Sequence, residues 1–446
     1  MADFTVFFDS QEKSVFMKIL VVGNGGREHA LVWKIRQSPL VKDVYCAPGN
    51  AGIAETADCV PIDTTNIVEV ADFAQTIKAD LTVVGPELPM VLGVGDEFRR
   101  RGLSIFCPSR AAAEIEGSKA FAREFMQRHQ IPSPRYEICN SPEEAASFLK
   151  RAPFGYPVVV KADGLAAGKG TIVAQTAAEA KEAVAQIMSE KKFGSAGSKV
   201  VMEEFLRGEE VSFLVFSDGS RVVPMISVQD HKRLGDGDTG PNTGGMGTVA
   251  PSTNMSLDVH KQIMQEIILP TIKGLDAEGR RYQGVLYAGL MMTDAGPRVL
   301  EYNARFGDPE TQVIMARMKS DLVPVLKGVA EGQLGDIKME WTKEPAICVV
   351  LAAGGYPGEV ETGKEVKGLA ALKGVSDLVV FHAATALRDG KVVTVGGRVL
   401  GITATGQNLD AAVQRAYDAA EKVHFDGMQY RKDIGQKALA RLHPSR

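Results

Sequence analysis

Four short apolar runs near the N-terminus constrain this chain more than any other feature. Lys18–Val22 and the runs in VKDVYCAPGNAG, ADLTVVGPELP and LSIFCPSR each end in a turn rich in glycine or proline, and helical stretches such as REHALVWKI separate them. Apolar strands alternating with helices predict a parallel sheet covered by helices, a Rossmann-like α/β domain. At 446 residues the chain is too long for one hydrophobic core, so roughly two to four domains are expected.

Past Arg110 the pattern changes. AAAEIEGSKAFAREFMQRHQ reads as one helical stretch leading away from the first domain. IPSPRYEICNSPEEAASFLK reads as a strand and a helix, PVVVKADGLAAGKGTIVA as a hairpin, and AAEAKEAVAQIMSEKKF as the helix closing a small α+β module. KVVMEEFLRGEEVSFLVFSDG is expected to open another sheet, continued by GVLYAGLMMTDAGPRVLEYNARFG around the turn Asp294-Ala295-Gly296. AICVVLAAGGYPG, VVFHAAT and RVLGITATG predict a small strand-rich C-terminal domain. The expected divisions are an extension outside the fold (1–16), the N-terminal domain (17–119), the small module (120–195), a larger module (196–329) and the C-terminal domain (330–446).

A net charge of −4 gives no general attraction for nucleic acid or an anionic membrane, so any anionic ligand must be captured by local groups. Cys46, Cys59, Cys107, Cys139 and Cys348 form no CxxC pair and read as buried thiols of a cytoplasmic protein. No run has the length of a membrane span, and the first 16 residues lack the basic start of a signal peptide.

Four segments carry candidate chemistry. VVGNGGREHA sets Gly23, Gly25 and Gly26 between a strand and a helix. A dinucleotide fingerprint would have a third glycine where Glu28 stands. Backbone N–H groups at the helix start could still hold a phosphate; a tight structural turn is the alternative. In KADGLAAGKG, Lys161 ends an apolar strand, and the loop carrying Gly164, Gly168, Lys169 and Gly170 could fold over phosphates. It is not a P-loop, because three residues rather than four part Gly164 from Gly168 and Gly170 stands where a hydroxyl is needed. In VVMEEFLRGEEVS, a carboxylate of Glu203 or Glu204 could accept from an adenine amino group, the backbone of Phe205 and Leu206 could bond the ring edge, and Glu210 the ribose hydroxyls. A solvated acidic turn is the plain alternative. In VLEYNARFGDPETQ, strand alternation sets Glu301 and Asn303 on one face, an oxygen pair suited to Mg²⁺. Arg305 joins that face if the strand continues and could bind a transferring phosphoryl group or a carboxylate. Between these lies SVQDHKRLGDGDTGPNTGGMG, too rich in glycine and acid for a regular element, which reads as a functional loop.

In this order the segments resemble the phosphoribosylamine–glycine ligase family of the ATP-grasp superfamily. APGNAG, VVGPELP, EGSKAFAREFM, LYAGLMM, AAGGYPG, GGRVL and YRKDIG extend the likeness from Met17 toward the end. The resemblance implies two α+β modules closing on ATP. It implies a purine-biosynthesis step in which ATP, glycine and 5-phospho-β-D-ribosylamine give ADP, phosphate and glycinamide ribonucleotide. Another carboxylate–amine ligase of the superfamily is the nearest alternative; an NAD-dependent oxidoreductase and a nucleotide-binding regulator without turnover are more distant ones.

Residue by residue, the likeness puts Mg²⁺ or Mn²⁺ on Glu301 and Asn303, ATP phosphates on Lys119 and Lys161, and adenine and ribose at Glu203, Leu206 and Glu210. LYAGLMM lacks the further acidic metal ligand that many relatives carry, and Cys107 replaces a glycine usual in the family. The ribosylamine phosphate is expected near Gly25, Gly26 and Arg27, with Asn50 and Glu87 at neighbouring strand ends. Glycine is expected between Asp230, Arg305 and Asp308, with Lys232 and Asn242 in the same substrate set. Arg305, Lys161 and Asp308 are the expected catalytic residues, and KADGLAAGKG the expected lid over a water-sensitive acyl phosphate. A monomer or weak homodimer acting on small molecules follows from this reading.

Overall fold

The computed structural model describes residues 16–166, 170–190 and 194–443. Its first five strands are β1 (Met17–Gly23), β2 (Val41–Pro48), β3 (Asp58–Cys59), β4 (Leu81–Val84) and β5 (Ile105–Phe106). They form a parallel sheet in the order β3-β2-β1-β4-β5. Both faces of β1 are covered, which is why its apolar run is unbroken. Ile19 and Val21 enter one core, Leu20 and Val22 another. The strand order turns outward on both sides of β1 and β4, so the crevice at their carboxyl ends is the natural ligand position.

That crevice explains Glu28. Its carboxylate accepts the Gly25 N–H at 2.7 Å and closes a capping box on the helix Gly26–Ile35. A Cβ on Gly85 would lie 1.9 Å from Glu28 Oε1. The close approach that a third glycine would serve is made here by a buried acid fitted against glycines on neighbouring turns.

The helical stretch after Arg110 is two helices, Arg110–Gly117 and Lys119–Arg128. Ser118 breaks them and caps the second, its Oγ accepting from Phe121 N–H at 3.0 Å. Strands β6 (Tyr136–Cys139), β7 (Val158–Ala162), β8 (Thr171–Ala174) and β9 (Val200–Glu204) make an antiparallel sheet ordered β6-β9-β7-β8. The expected division at 195/196 therefore cuts through this module. β9 lies between β6 and β7 instead of opening the next sheet. An apolar run says that a strand is buried but not which partners bury it.

Strands β10 (Glu209–Asp218) and β11 (Val222–Pro224) open the larger module. The glycine-rich segment that reads as irregular instead holds β12 (Gln229–Asp230), β13 (Arg233–Gly235), β14 (Thr239–Asn242) and β15 (Gly247–Ala250). Then come β16 (Gln283–Thr293) and β17 (Gly296–Asn303), hairpin partners around the expected turn. The last strands are β18 (Ala346–Ala352), β19 (Leu378–His382), β20 (Thr385–Arg388), β21 (Lys391–Thr394) and β22 (Arg398–Thr405). The larger module is the sheet β11-β10-β16-β17, while β12 and β15 leave it to join the C-terminal sheet β12-β15-β18-β22-β19. β13-β14 and β20-β21 are separate hairpins. Arg431 ties the excursion to the tail of the chain, donating to Asp238 Oδ1 at 2.8 Å and bracketing Asp433.

The five cysteines are free thiols. No helix among the described residues is long and apolar enough to cross a membrane. The small module has its own core around Phe148, Val160, Ile187 and Met202. Phe148→Ala is expected to cost that module about 3–5 kcal/mol. Hydrogen exchange should then accelerate through β6–β9 while β1 and β4 keep their protection; equal acceleration in both would show one shared core.

Candidate active site

A cavity of about 410 Å³ opens where the small module, the larger module and the ends of the parallel sheet meet. Its walls include Arg27, Glu87, Lys119, Lys161, Gly170, Glu203, Glu204, Phe205, Leu206, Glu210, Asp230, Lys232, Asn242, Glu301, Asn303, Arg305 and Asp308, all singled out from the sequence. Residues drawn from positions 27 to 308 thus face one space.

Lys161 is the penultimate residue of β7, where four apolar neighbours hold the strand in its core and leave the lysine's polar end at the cavity. The ammonium donates to Leu300 O at 2.9 Å and pairs with Glu203 Oε2 at 2.9 Å. Arg123 grips the same carboxylate with Nε at 2.6 Å and Nη2 at 2.8 Å. Glu203 is thus fully buried between two cations, which outweigh burial and hold its carboxyl below the usual range. The carboxylate that the sequence offers to an adenine amino group thus already binds two cations, while still lining the cavity. Past β9 the chain leaves the ladder at Phe205 and Leu206, and the side chain of Glu204 turns to Arg135.

On β17, Glu301 and Asn303 share a face as alternation requires. The strand ends at Asn303, so Arg305 reaches the cavity from the following turn and not from the strand. The Glu301 carboxylate accepts no hydrogen bond from any described residue. Burial opposes its charge, but Lys232, Lys119, Lys161 and Arg305 prevail and keep the carboxyl below the ordinary range. An ionised, unbonded carboxylate beside an amide oxygen fits a divalent cation. Among the described residues no group of three His, Cys, Asp or Glu is placed to hold a metal, so water and phosphate oxygens would complete the sphere.

Arg305 is held from several sides. Nε donates to Glu87 Oε2 at 3.1 Å, Nη1 to Phe306 O at 3.1 Å and Nη2 to Asn303 Oδ1 at 3.2 Å, while Glu116 Oε1 lies 3.1 Å from Nη2. Burial would raise Glu87, yet Arg305 and Arg27 bring it down to about 2. Burial wins at Glu116, which rises to about 7 against the pull of Arg305. Asp308 is fixed by Arg398 Nη2 at 3.1 Å and Gln312 Nε2 at 2.7 Å.

Across the cavity, Asp230 Oδ2 accepts from Lys232 Nζ at 2.9 Å, and its buried Oδ1 has no hydrogen-bond partner among the described residues. Beside it Glu310 accepts from Ser212 Oγ at 2.9 Å and Tyr287 Oη at 3.0 Å. Burial and Asp230 push the Glu310 carboxyl up, and Glu210 is raised by burial as well. The corner is rich in acceptors and short of a cation.

Some expected residues lie elsewhere. Asn50 is spent on structure: its Nδ2 donates to Asn24 O and His382 O, and its Oδ1 accepts from Gly52 and Ile53 N–H, so it locks the first sheet to β19. Gly25 and Gly26 sit behind the wall with the Gly25 amide taken by Glu28, which removes one of the expected phosphate donors. Gly164 uses its carbonyl to hold Lys119 Nζ at 3.2 Å. Gly168 and Lys169 fall outside the described residues. Arg123, Glu116, Glu310 and Arg398 line the cavity but were not singled out from the sequence. Arg123 had a signal, a charge on the apolar stripe of Ala120, Ala122, Phe125 and Met126.

Models of the phosphoribosylglycinamide synthetase N, ATP-grasp (A) and C domains match residues 17–116, 117–311 and 346–437. A phosphoribosylamine–glycine ligase of Escherichia coli O157:H7 is 53% identical over 429 residues, covering 95% of this chain and 99% of the relative. One from Pseudomonas aeruginosa is 51% identical over 428 residues, with the same coverage. The crystal structure of the Thermotoga maritima phosphoribosylamine–glycine ligase superposes with a TM-score of 0.81 at 36% identity, covering 94% of this chain and all of that one. A biotin carboxylase domain from Hydrogenobacter thermophilus, solved with MgADP and bicarbonate, shares the fold at a TM-score of 0.71 and 15% identity, covering 96% of this chain and 98% of its own. The chain belongs to the phosphoribosylglycinamide synthetase family.

Proposed function

We propose that this chain joins glycine to 5-phospho-β-D-ribosylamine at the expense of ATP, giving glycinamide ribonucleotide, ADP and phosphate in purine biosynthesis. The observation that carries this reading is the bare Glu301 carboxylate, ringed by four cations in the same cavity as the unpartnered Asp230 Oδ1. One end of the cavity is built for phosphates, the other for an ammonium group.

A carboxylate resists attack by an amine because its oxygens leave poorly. A glycine carboxylate oxygen attacks the γ-phosphorus and ADP departs, leaving glycyl phosphate. The ribosylamine nitrogen then attacks the acyl carbon, and phosphate leaves carrying the amine proton. The protein supplies position and charge. Lys161, Lys119 and Arg305 face the phosphate oxygens. The main chain of Phe205 and Leu206 meets the purine edge and Glu210 the ribose hydroxyls. Asp230 Oδ1 takes the glycine ammonium beside Glu310, and Arg305 with Asp308 frames its carboxylate end. Arg27 and Glu87 at the sheet end hold the ribosylamine, with Lys232 and Asn242 on the opposite wall. Glu301 and Asn303 would hold Mg²⁺ or Mn²⁺, which neutralises charge on the transferring group.

KADGLAAGKG is the lid in this reading, and its residues 167–169 lie outside the described ones. Its base is pinned where Asp163 Oδ1 accepts from Ser118 Oγ at 2.9 Å and Ala120 N–H at 3.0 Å. In this reading the chain acts in the cytoplasm, as a monomer or a weak homodimer.

Sustained, multiple-turnover ADP release should require glycine and ribosylamine together; sustained release with either alone would reject the reading. Glu301→Gln should lower metal-dependent kcat by about 10²–10³-fold with the circular dichroism spectrum unchanged, and full activity would remove Glu301 from the metal site. Asp230→Asn should raise the KM for glycine about 10–100-fold and leave that for ATP nearly constant. An equal rise in both would place the ammonium elsewhere.

A further inference from the structure

Arg123 performs no step above, yet its guanidinium is committed on every nitrogen. It is 2% exposed on the helix Lys119–Arg128. Besides its fork on Glu203, Nη1 donates to Val299 O at 2.9 Å and Nη2 to Leu300 O at 2.6 Å. Met126 Sδ lies 3.9 Å from Nη1. The partners come from two modules. Glu203 lies one residue before the end of β9 in the small module, while Val299 and Leu300 belong to β17, which carries Glu301.

The register of β17 shows how a carbonyl becomes available there. Gly289 pairs with Glu301 and Leu290 with Val299, so Leu300 is the extra residue of a bulge. Its carbonyl receives both Arg123 Nη2 and Lys161 Nζ. Lys161 therefore shares both its anchors, Leu300 O and Glu203 Oε2, with Arg123. Two of the three ammonium protons are fixed in this way, which leaves one for a ligand in the cavity.

We propose that Arg123 is a positioning residue for the nucleotide phosphates. It fixes the distance and direction between the Lys161 ammonium and the strand bearing Glu301 by clamping the carboxylate of one module to the bulge of the other. Without it, Lys161 would be the sole cation on a buried carboxylate, would collapse onto Glu203, and would leave the Leu300 carbonyl half-served. A guanidinium is required, because a lysine cannot fork onto Glu203 and reach two carbonyls at once. The inference rests on the ATP-dependent reading above.

The test compares wild type, Arg123→Lys and Arg123→Met in the ADP-release assay, with separate KM values for ATP, glycine and ribosylamine and with ADP titrated by calorimetry. Arg123→Met should raise the KM for ATP and the Kd for ADP about 10-fold and lower kcat about 10²-fold, with the glycine KM within about twofold. Arg123→Lys should recover part of the fold but little of the ATP KM. If Arg123→Met does not fold, the Lys variant alone carries the comparison. A lower thermal midpoint with ATP KM, ADP Kd and kcat unchanged would overturn the proposal and leave a purely architectural ion pair. An equal rise in all the KM values would overturn it too. Wild-type enzyme that releases no ADP in the presence of both co-substrates would instead refute the underlying reading, whereas the ADP titration compares the variants without turnover.

Discussion

Charges removed from water must be matched in place, and that constraint organises the centre of this molecule. Arg123, Lys161, Lys232, Arg305 and Arg398 line one cavity with Glu116, Glu203, Glu301, Asp308 and Glu310. Glu203, touched by both Arg123 and Lys161, is held below the usual carboxylate range despite its burial. Elsewhere burial prevails and pushes acids toward their neutral forms, at Glu116 against the pull of Arg305 and at Glu310 with the help of Asp230. The two exceptions to this matching are the informative ones. Glu301 is ionised without a hydrogen-bond partner among the described residues, and Asp230 Oδ1 is buried without one. In the proposed reading a bound cation and an ammonium group would complete the balance at these two places.

Sheet geometry delivers these groups. Alternation brings Glu301 and Asn303 to one face of β17, and the bulge at Leu300 then frees a carbonyl without moving either of them off that face. Glu87 comes from a carboxyl-terminal strand end of the parallel sheet, Lys161 from the end of an antiparallel strand. The lysine and the acids therefore meet although their sheets have different cores.

Much of this was legible in the sequence because the relevant signals are local. The unbroken runs of β1 and β4 reported a sheet covered on both faces, and the turn at Asp294–Gly296 reported the β16–β17 hairpin. The spacing of Glu301 and Asn303 reported a shared face. What failed needed knowledge of partners. A run such as VVM fits any buried strand, so β9 was assigned to the wrong sheet. The glycines of the 229–250 segment hid four short strands whose ladders are made partly with residues about a hundred positions away. Glu203 looked free because nothing local says that an arginine 80 residues earlier in the chain takes both its oxygens. Asn50 looked like a ligand for the same reason: its partners at His382 and Asn24 are distant or main chain.

The excursion of β12 and β15 into the C-terminal sheet has a temporal side. β15 pairs along one edge with β18, and β18 in turn with β22, which ends at Thr405. A nascent chain still short of that point on the ribosome carries Asp230 on a ladder without its later rungs. The parallel sheet and the strand of Glu301 have all their own rungs long before. The corner that would receive the amino acid in the proposed reading therefore depends on rungs supplied as far along the chain as Thr405, whereas those that frame the β10–β16–β17 strands end at Asn303.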